Sequence, residues 1–249
     1  MSHVPLHVHG GTLSDGWMAT LRGLAGRGVD GLSPLVLTVD RFDDNEPVET
    51  PGFRGALSTE LVRLGHPTVD TTCRTIFPFP LTSLGGGRDA LFDRYRQIVP
   101  RLRKHKANKK GIYFERMIAF PSHDAEEPLN QLKTILDFWD GDTRRKSAFQ
   151  VTTWCPERDL SKGPYALFPC LQHVAFTPMG EELSVTAFYA TQYLLKRGYG
   201  NYLGLCRLGA FMAHEMGLRL TRFTCYAAHV PAEESKAELR NLVTTLEAV

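Results

Sequence analysis

The stretch SKGPYALFPC, residues 161–170, runs straight into LQHVAFT, residues 171–177, and this join decides how the chain is read. The first part is rich in Gly and Pro and reads as a loop. The second is an apolar run that reads as a buried strand. Pro169 and Cys170 stand at the junction. A cysteine held there by a proline can be aimed into a cavity, whereas a cysteine in an ordinary setting is a small buried hydrophobe. Composition alone favours the inert thiol. The residues around it shift that balance.

Outward from the junction, residues 148–154 and 183–189 read as further strands and residues 220–228 as another. Residues 201–216 (NYLGLCRLGAFMAHEM) read as a largely buried helix stopped by Gly217, and a terminal helix starts from residue 232. Upstream, Leu129, Leu132, Ile135 and Leu136 share one face of a helix over 128–139. A helix over 88–99 follows the glycine run 85–87, and Pro100 can kink its end. Trp17, Leu21 and Leu24 recur at helical spacing over 15–25, residues 32–39 form a buried strand, and RFDDNEP beyond them is a turn or loop. Strands and helices mix without an internal repeat or a linker. The expectation is one α+β domain over residues 1–249.

The 249 residues are 43% hydrophobic and 22% charged, which describes a globular chain and excludes a disordered or fibrous one. The net charge of +2 gives no electrostatic reason to expect a nucleic-acid partner. No apolar run is long enough to span a bilayer, and MSHVPLHVHGG lacks the features of a signal peptide. A cytoplasmic protein without membrane attachment is expected. The five scattered cysteines then read as reduced thiols, and with no CxxC pair a zinc site is not expected. Cys73, Cys155, Cys206 and Cys225 are read as core thiols. The basic run RLRKHKANKK, residues 101–110, reads as a solvated face, with an anionic-ligand patch as the less favoured reading. His3, His7 and His9 alternate along an extended segment and read as a polar strand face or terminus, with no metal.

Several motifs add up in order. Tyr113 in GIYFER, the helix start Asn130-Gln131-Leu132, the pair Arg144-Arg145, then Trp154, Pro156 and Arg158-Asp159-Leu160 lead to Pro169-Cys170. Leu183-Ser184, Asn201 and Phe211-Met212-Ala213 follow at fitting intervals. Over roughly residues 113–229 the chain resembles thymidylate synthase and the related pyrimidine nucleotide hydroxymethylases. The resemblance implies a thymidylate synthase-like fold, with a twisted mixed sheet packed on helices and a homodimer formed through the sheet. It implies a small-molecule substrate, a pyrimidine, and 5,10-methylenetetrahydrofolate as one-carbon donor. Cys170 would add to C6 of the ring and make C5 a carbon nucleophile. Asn201 would meet the O4/N3 edge, and Tyr113 would help move the C5 proton through water. Arg144 and Arg145 would reach the partner's pocket, and Gln192 and His229 complete the implied substrate contacts. Two plainer readings stay open: Asn201 as a helix cap and Tyr113 as a core aromatic.

The likeness also breaks. Ala190 stands where the family carries its phosphate-binding arginine, Tyr193 where it carries the pterin-anchoring aspartate, and Leu171 where a histidine follows the nucleophile. Near the ribose, Ala227-Ala228-His229-Val230-Pro231 keeps a histidine and loses a tyrosine. The position of the family's catalytic glutamate is not legible in the amino-terminal half, where TIFPFP, residues 75–80, replaces any stretch that aligns. Either other cations hold a phosphate, Arg74, Arg144, Arg145, Lys196 or Arg197 among them, or the ligand has none; the losses favour the second. The activity expected is methyl or hydroxymethyl transfer to C5 of a pyrimidine or related heterocycle. The alternatives are a folate-independent cysteine enzyme on a non-nucleotide substrate and a lapsed relative that only binds a nucleotide.

Overall fold

The structure is a computed structural model that describes residues 3–26, 28–121, 127–160 and 168–249. The loop expected over 161–167 lies outside the described residues. Strands β1 (His3–Gly10), β2 (Gly31–Val39), β5 (Gln150–Thr152), β6 (Leu171–Met179), β7 (Glu182–Thr191) and β8 (Arg219–Pro231) form one six-stranded sheet in the order β1-β2-β8-β7-β6-β5. The β1/β2 and β7/β8 pairs are parallel and the other three antiparallel. The architecture is the expected α+β one, a mixed sheet packed on helices, and nothing in it conflicts with a thymidylate synthase-like fold.

Alternation along the strands explains the packing. Leu35, Leu37 and Val39 of β2, Phe223, Cys225 and Ala227 of β8, and Val185, Ala187 and Tyr189 of β7 are fully buried on one face. On this face lie α1 (Leu13–Ala25), whose Trp17, Leu21 and Leu24 are fully buried, and α8 (Tyr199–Met216). The opposite face keeps Thr38, Thr224 and Thr186 in one cross-strand row and Val36, Tyr226 and Phe188 in the next, all half-buried or exposed. Phe188 and Tyr226 stack there with centroids 5.5 Å apart.

Helix α8 approaches α3 (Val69–Ile76) closely because glycines face it. A Cβ on Gly200 would lie 2.6 Å from Thr72 Cβ, and one on Gly204 2.7 Å from Ile76 Cβ and 2.8 Å from the Cys73 carbonyl oxygen. Only glycine lets the two backbones meet. The helix ends at Gly217, left-handed at φ 67°, as read from the sequence. Asn201 is the third residue of α8 and makes no cap bond, so the capping reading is set aside. Pro100 lies inside α4 (Gly87–Leu102), which runs on past it. Sequence periodicity alone leaves α2 (Phe53–Arg63), α3 and α5 (Tyr113–Ile118) unread. Of these, α2 and α5 carry mixed polar and apolar residues with no long apolar stripe. The RFDDNEP loop is a short hairpin of β3 (Phe42–Asp43) and β4 (Glu46–Pro47), with Asp44 and Asn45 at positive φ. Strand β1 turns His3, His7 and His9 outward, and the fold brings Asp40 to 2.6 Å from His9.

Strands β6 and β7 form a hairpin whose turn passes through Gly180 at φ 62°. The start of β6 and the end of β7 therefore share the other end of the sheet, and Cys170 and Gln192 lie there.

Candidate functional site

A cavity of about 990 Å³ opens at that end. It is lined by Cys170 from just before β6, by Tyr189, Thr191, Gln192 and Tyr193 from the end of β7, and by Asn201 from α8. Tyr113 and Phe168 form an aromatic wall with ring centroids 5.1 Å apart. The basic run contributes His105, Lys106, Lys109 and Lys110, and Lys196 and Arg197 add two further cations. No carboxylate is among the described residues that line the cavity. The basic run is mostly exposed, as a solvated face is, and through a short 3₁₀ turn, Lys106–Asn108, residues 105–111 of this stretch also line the cavity.

The cysteine's backbone is fixed from two sides. The N–H groups of Cys170 and Leu171 both donate to the Tyr113 hydroxyl, at 3.3 and 3.4 Å. The Ala190 N–H donates to the Cys170 carbonyl at 3.0 Å. The thiol is partly exposed, unlike those of Cys73, Cys155, Cys206 and Cys225, and all five cysteines are free of disulfides. Burial pushes the Cys170 thiol up, and the nearby Arg197 guanidinium pulls it partly back by favouring thiolate. Burial pushes the Tyr113 phenol up more strongly, so at neutral pH it is a neutral hydroxyl that accepts two N–H bonds.

Two buried amides complete the wall. Gln192 and Asn201 are 1% and 5% exposed. The Gln192 amide donates to the Tyr193 carbonyl at 3.2 Å, while its buried oxygen has no partner among the described residues. An amide presents a donor and an acceptor side by side, the pattern that a pyrimidine O4/N3 edge complements.

Behind the cysteine lies a buried ion pair. Arg116 of α5 makes a two-pronged contact with Asp159 of α7 (Pro156–Asp159), at 2.8 and 3.1 Å, and Asp159 also accepts from the Cys155 N–H at 2.8 Å. The guanidinium sits 5.4 Å above the Phe168 ring. Asp159 of the Arg158-Asp159-Leu160 motif thus has a structural task, tying α7 to α5.

Of the residues singled out from sequence, Cys170, Tyr113, Asn201 and Gln192 come together at one cavity. Arg144 and Arg145 do not line it; both are exposed, and Arg144 stacks on Trp139 at 4.1 Å and pairs with Asp142 at 2.6 Å. His229 lies beside His3 at 3.3 Å and does not line the cavity either. Phe168 and the run 105–111 are lining residues that the motif reading passed over, and charge density was the only local signal for the second. Among the described residues, no group of three or more His, Cys, Asp or Glu is placed to hold a metal, and no helix is long and apolar enough to cross a membrane.

No protein-family model matches the chain. A curated protein of Methanocaldococcus jannaschii named "Putative thymidylate synthase" is 27% identical to it over 117 residues, which is 46% of this chain and 51% of that protein. The match therefore spans about half the length of the curated relative. It suggests the thymidylate synthase family at a coarse level.

Proposed function

We propose that the chain carries out thymidylate synthase-like one-carbon transfer at C5 of an anionic pyrimidine, with Cys170 as the nucleophile. The observation that supports this reading is the meeting of Cys170 with two buried amides, Gln192 and Asn201, in a cavity rimmed by cations. In the reaction, the Cys170 thiolate forms a bond to C6 and the C5–C6 π pair moves toward C5 and O4. The Asn201 amide donates to the oxygen that gains charge, so it binds the adduct more tightly than the ring. For the hydroxymethyl product, C5 then bonds to a one-carbon unit of the formaldehyde class, whose C=O π pair moves to its oxygen and takes a proton. Loss of the C5 proton to solvent with expulsion of the Cys170 thiolate restores the C5–C6 double bond.

The donor implied by the resemblance, 5,10-methylenetetrahydrofolate, is a poorer fit. A cavity of about 990 Å³ has room for a second ligand beside a pyrimidine, and Tyr193 and Phe168 offer flat faces. The described lining residues nevertheless include no carboxylate to accept the N–H edge of a pterin. They do not fit a pterin held in that way.

The lining argues for a charged ligand. Lys106, Lys109, Lys110, Lys196 and Arg197 offer cations where Ala190 offers none. The phosphate-free preference drawn from the losses at Ala190, Tyr193 and Pro231 is therefore set aside here in favour of a nucleotide. Calorimetric titration with uridine, deoxyuridylate and cytidylate at two salt concentrations, with mass analysis for an adduct on Cys170, tests the proposal. A nucleotide preference that salt weakens, together with an adduct absent from C170A, is expected. Equal affinity for nucleoside and nucleotide with no adduct would sink it.

A further inference from the structure

The turn that carries Lys196 and Arg197 is held by a carboxylate remote from it in sequence. Leu194–Gly198 is a π-helical turn between β7 and α8. The Leu195 N–H donates to Glu233 Oε2 at 2.8 Å and the Lys196 N–H to Oε1 at 3.3 Å. Backbone N–H groups at the start of a helix have no partner within it, and Glu233 supplies one for each of these two. The turn's other ties are the Trp17 indole N–H to the Leu194 carbonyl at 3.2 Å and the Arg197 N–H to the Tyr193 carbonyl at 3.0 Å. Glu233 itself sits just beyond β8, where the Ala232 N–H donates to the Asp30 carbonyl at 3.1 Å. On the cavity side, Arg197 is the cation that acts on both Cys170 and Tyr113. Glu233 does not line the cavity.

We infer that Glu233 is a positioning residue: by gripping the turn Leu194–Gly198 it keeps the Arg197 guanidinium facing Cys170, and so sets the reactivity of the thiol. This rests on the proposed reading of Cys170 as the nucleophile. The charged groups acting on Glu233 are Lys196, which favours the carboxylate, and Glu234, which opposes it; Glu234 in turn lies 3.5 Å from His66. Burial, reinforced by Glu234, outweighs the two N–H bonds and the Lys196 charge and pushes the Glu233 carboxyl up to about 7. Above that pH both oxygens accept, the grip is complete and Arg197 favours thiolate. Below it one oxygen carries a proton and the grip on one N–H weakens. Thiol reactivity then falls faster with acidification than the titration of Cys170 alone would make it.

The test is alkylation of the intact chain with iodoacetamide from pH 6 to 9, read at Cys170 by peptide mass spectrometry. Wild type, E233Q, R197Q and the double variant are compared. Wild type should show an inflection near pH 7 in addition to that of the thiol. E233Q should lose this inflection and react about tenfold more slowly at neutral pH, the size expected when a neighbouring cation stops favouring a thiolate by about one pKa unit. R197Q should match it, and the double variant should be no slower than either single one, because both remove the same interaction. If E233Q does not fold, E233D takes its place: it still ionises but is one methylene short, and should keep the inflection while losing rate. A reactive Cys170 that is indifferent to Glu233, or additive losses in the double variant, would overturn the inference and leave the nucleophile standing. A Cys170 that resists alkylation in wild type would overturn both.

Discussion

Replacing Asp159 by Asn changes no volume and removes one charge, which makes it a direct measure of the ion pair behind the nucleophile. The Arg116 and Asp159 side chains are 4% and 7% exposed, so water cannot take over for the lost carboxylate. In D159N one prong of the contact at 2.8 and 3.1 Å would bring an amide N–H against a guanidinium N–H. The Thr153 carbonyl, 3.3 Å from Nη1, would be the remaining acceptor shown for the charge. Breaking a buried pair from one side costs about 3–5 kcal/mol. In a chain of this size each kcal/mol lowers the melting temperature by about 2–4 °C, so a fall of roughly 10 °C is expected. Urea unfolding followed by far-ultraviolet circular dichroism, checked against a thermal melt, measures it. The apolar double variant R116M/D159L should recover most of the loss, since replacing both partners removes the burial penalty together with the attraction. A cost below about 1 kcal/mol for D159N would show that the pair is effectively solvated and refute the reasoning. So would a double variant as unstable as the single one.

Two further outcomes follow from packing. G204A should destabilise by about 1–3 kcal/mol in the same urea assay despite the better helix propensity of alanine, because the new Cβ meets Ile76 Cβ and the Cys73 carbonyl of α3; G55A in α2, where a Cβ meets nothing within 4 Å, should gain about 0.5–1 kcal/mol instead. We propose that the outer sheet face around the Phe188–Tyr226 stack mediates the homodimer implied by the family resemblance. Sedimentation at micromolar concentration should then show a dimer that F188K converts to monomer, and a monomeric wild type would end that proposal.

Much of the fold was legible because its elements carry strong patterns. The alternating strands β6 to β8 and the apolar α8 announce themselves, and Gly217 marks a stop by its need for positive φ. Helices α2 and α5 were not read because they owe their form to contacts with distant segments rather than to a stripe of their own. The same distinction runs through the site. Cys170 and Asn201 were visible as a proline-held cysteine and as an amide at a helix start. Glu233 was not, because its two partners lie 38 and 37 residues away and are backbone N–H groups, which leave no trace in the identity of Leu195 or Lys196. The basic run 101–110 was visible as charge but not as a cavity wall, since net charge does not tell which way a loop folds.

The β6–β7 hairpin separates the chemistry from its own turn. Nine residues of β6 at about 3.3 Å each put Gly180 roughly 30 Å from the cysteine end of the sheet. A side chain built at Gly180 meets nothing within 4 Å, although its φ of 62° disfavours most residues other than glycine. A short insertion at this turn, carrying a fluorophore or an affinity handle, would ride on the same rigid ladder that carries Cys170. It would report on the protein without crowding whatever enters the cavity.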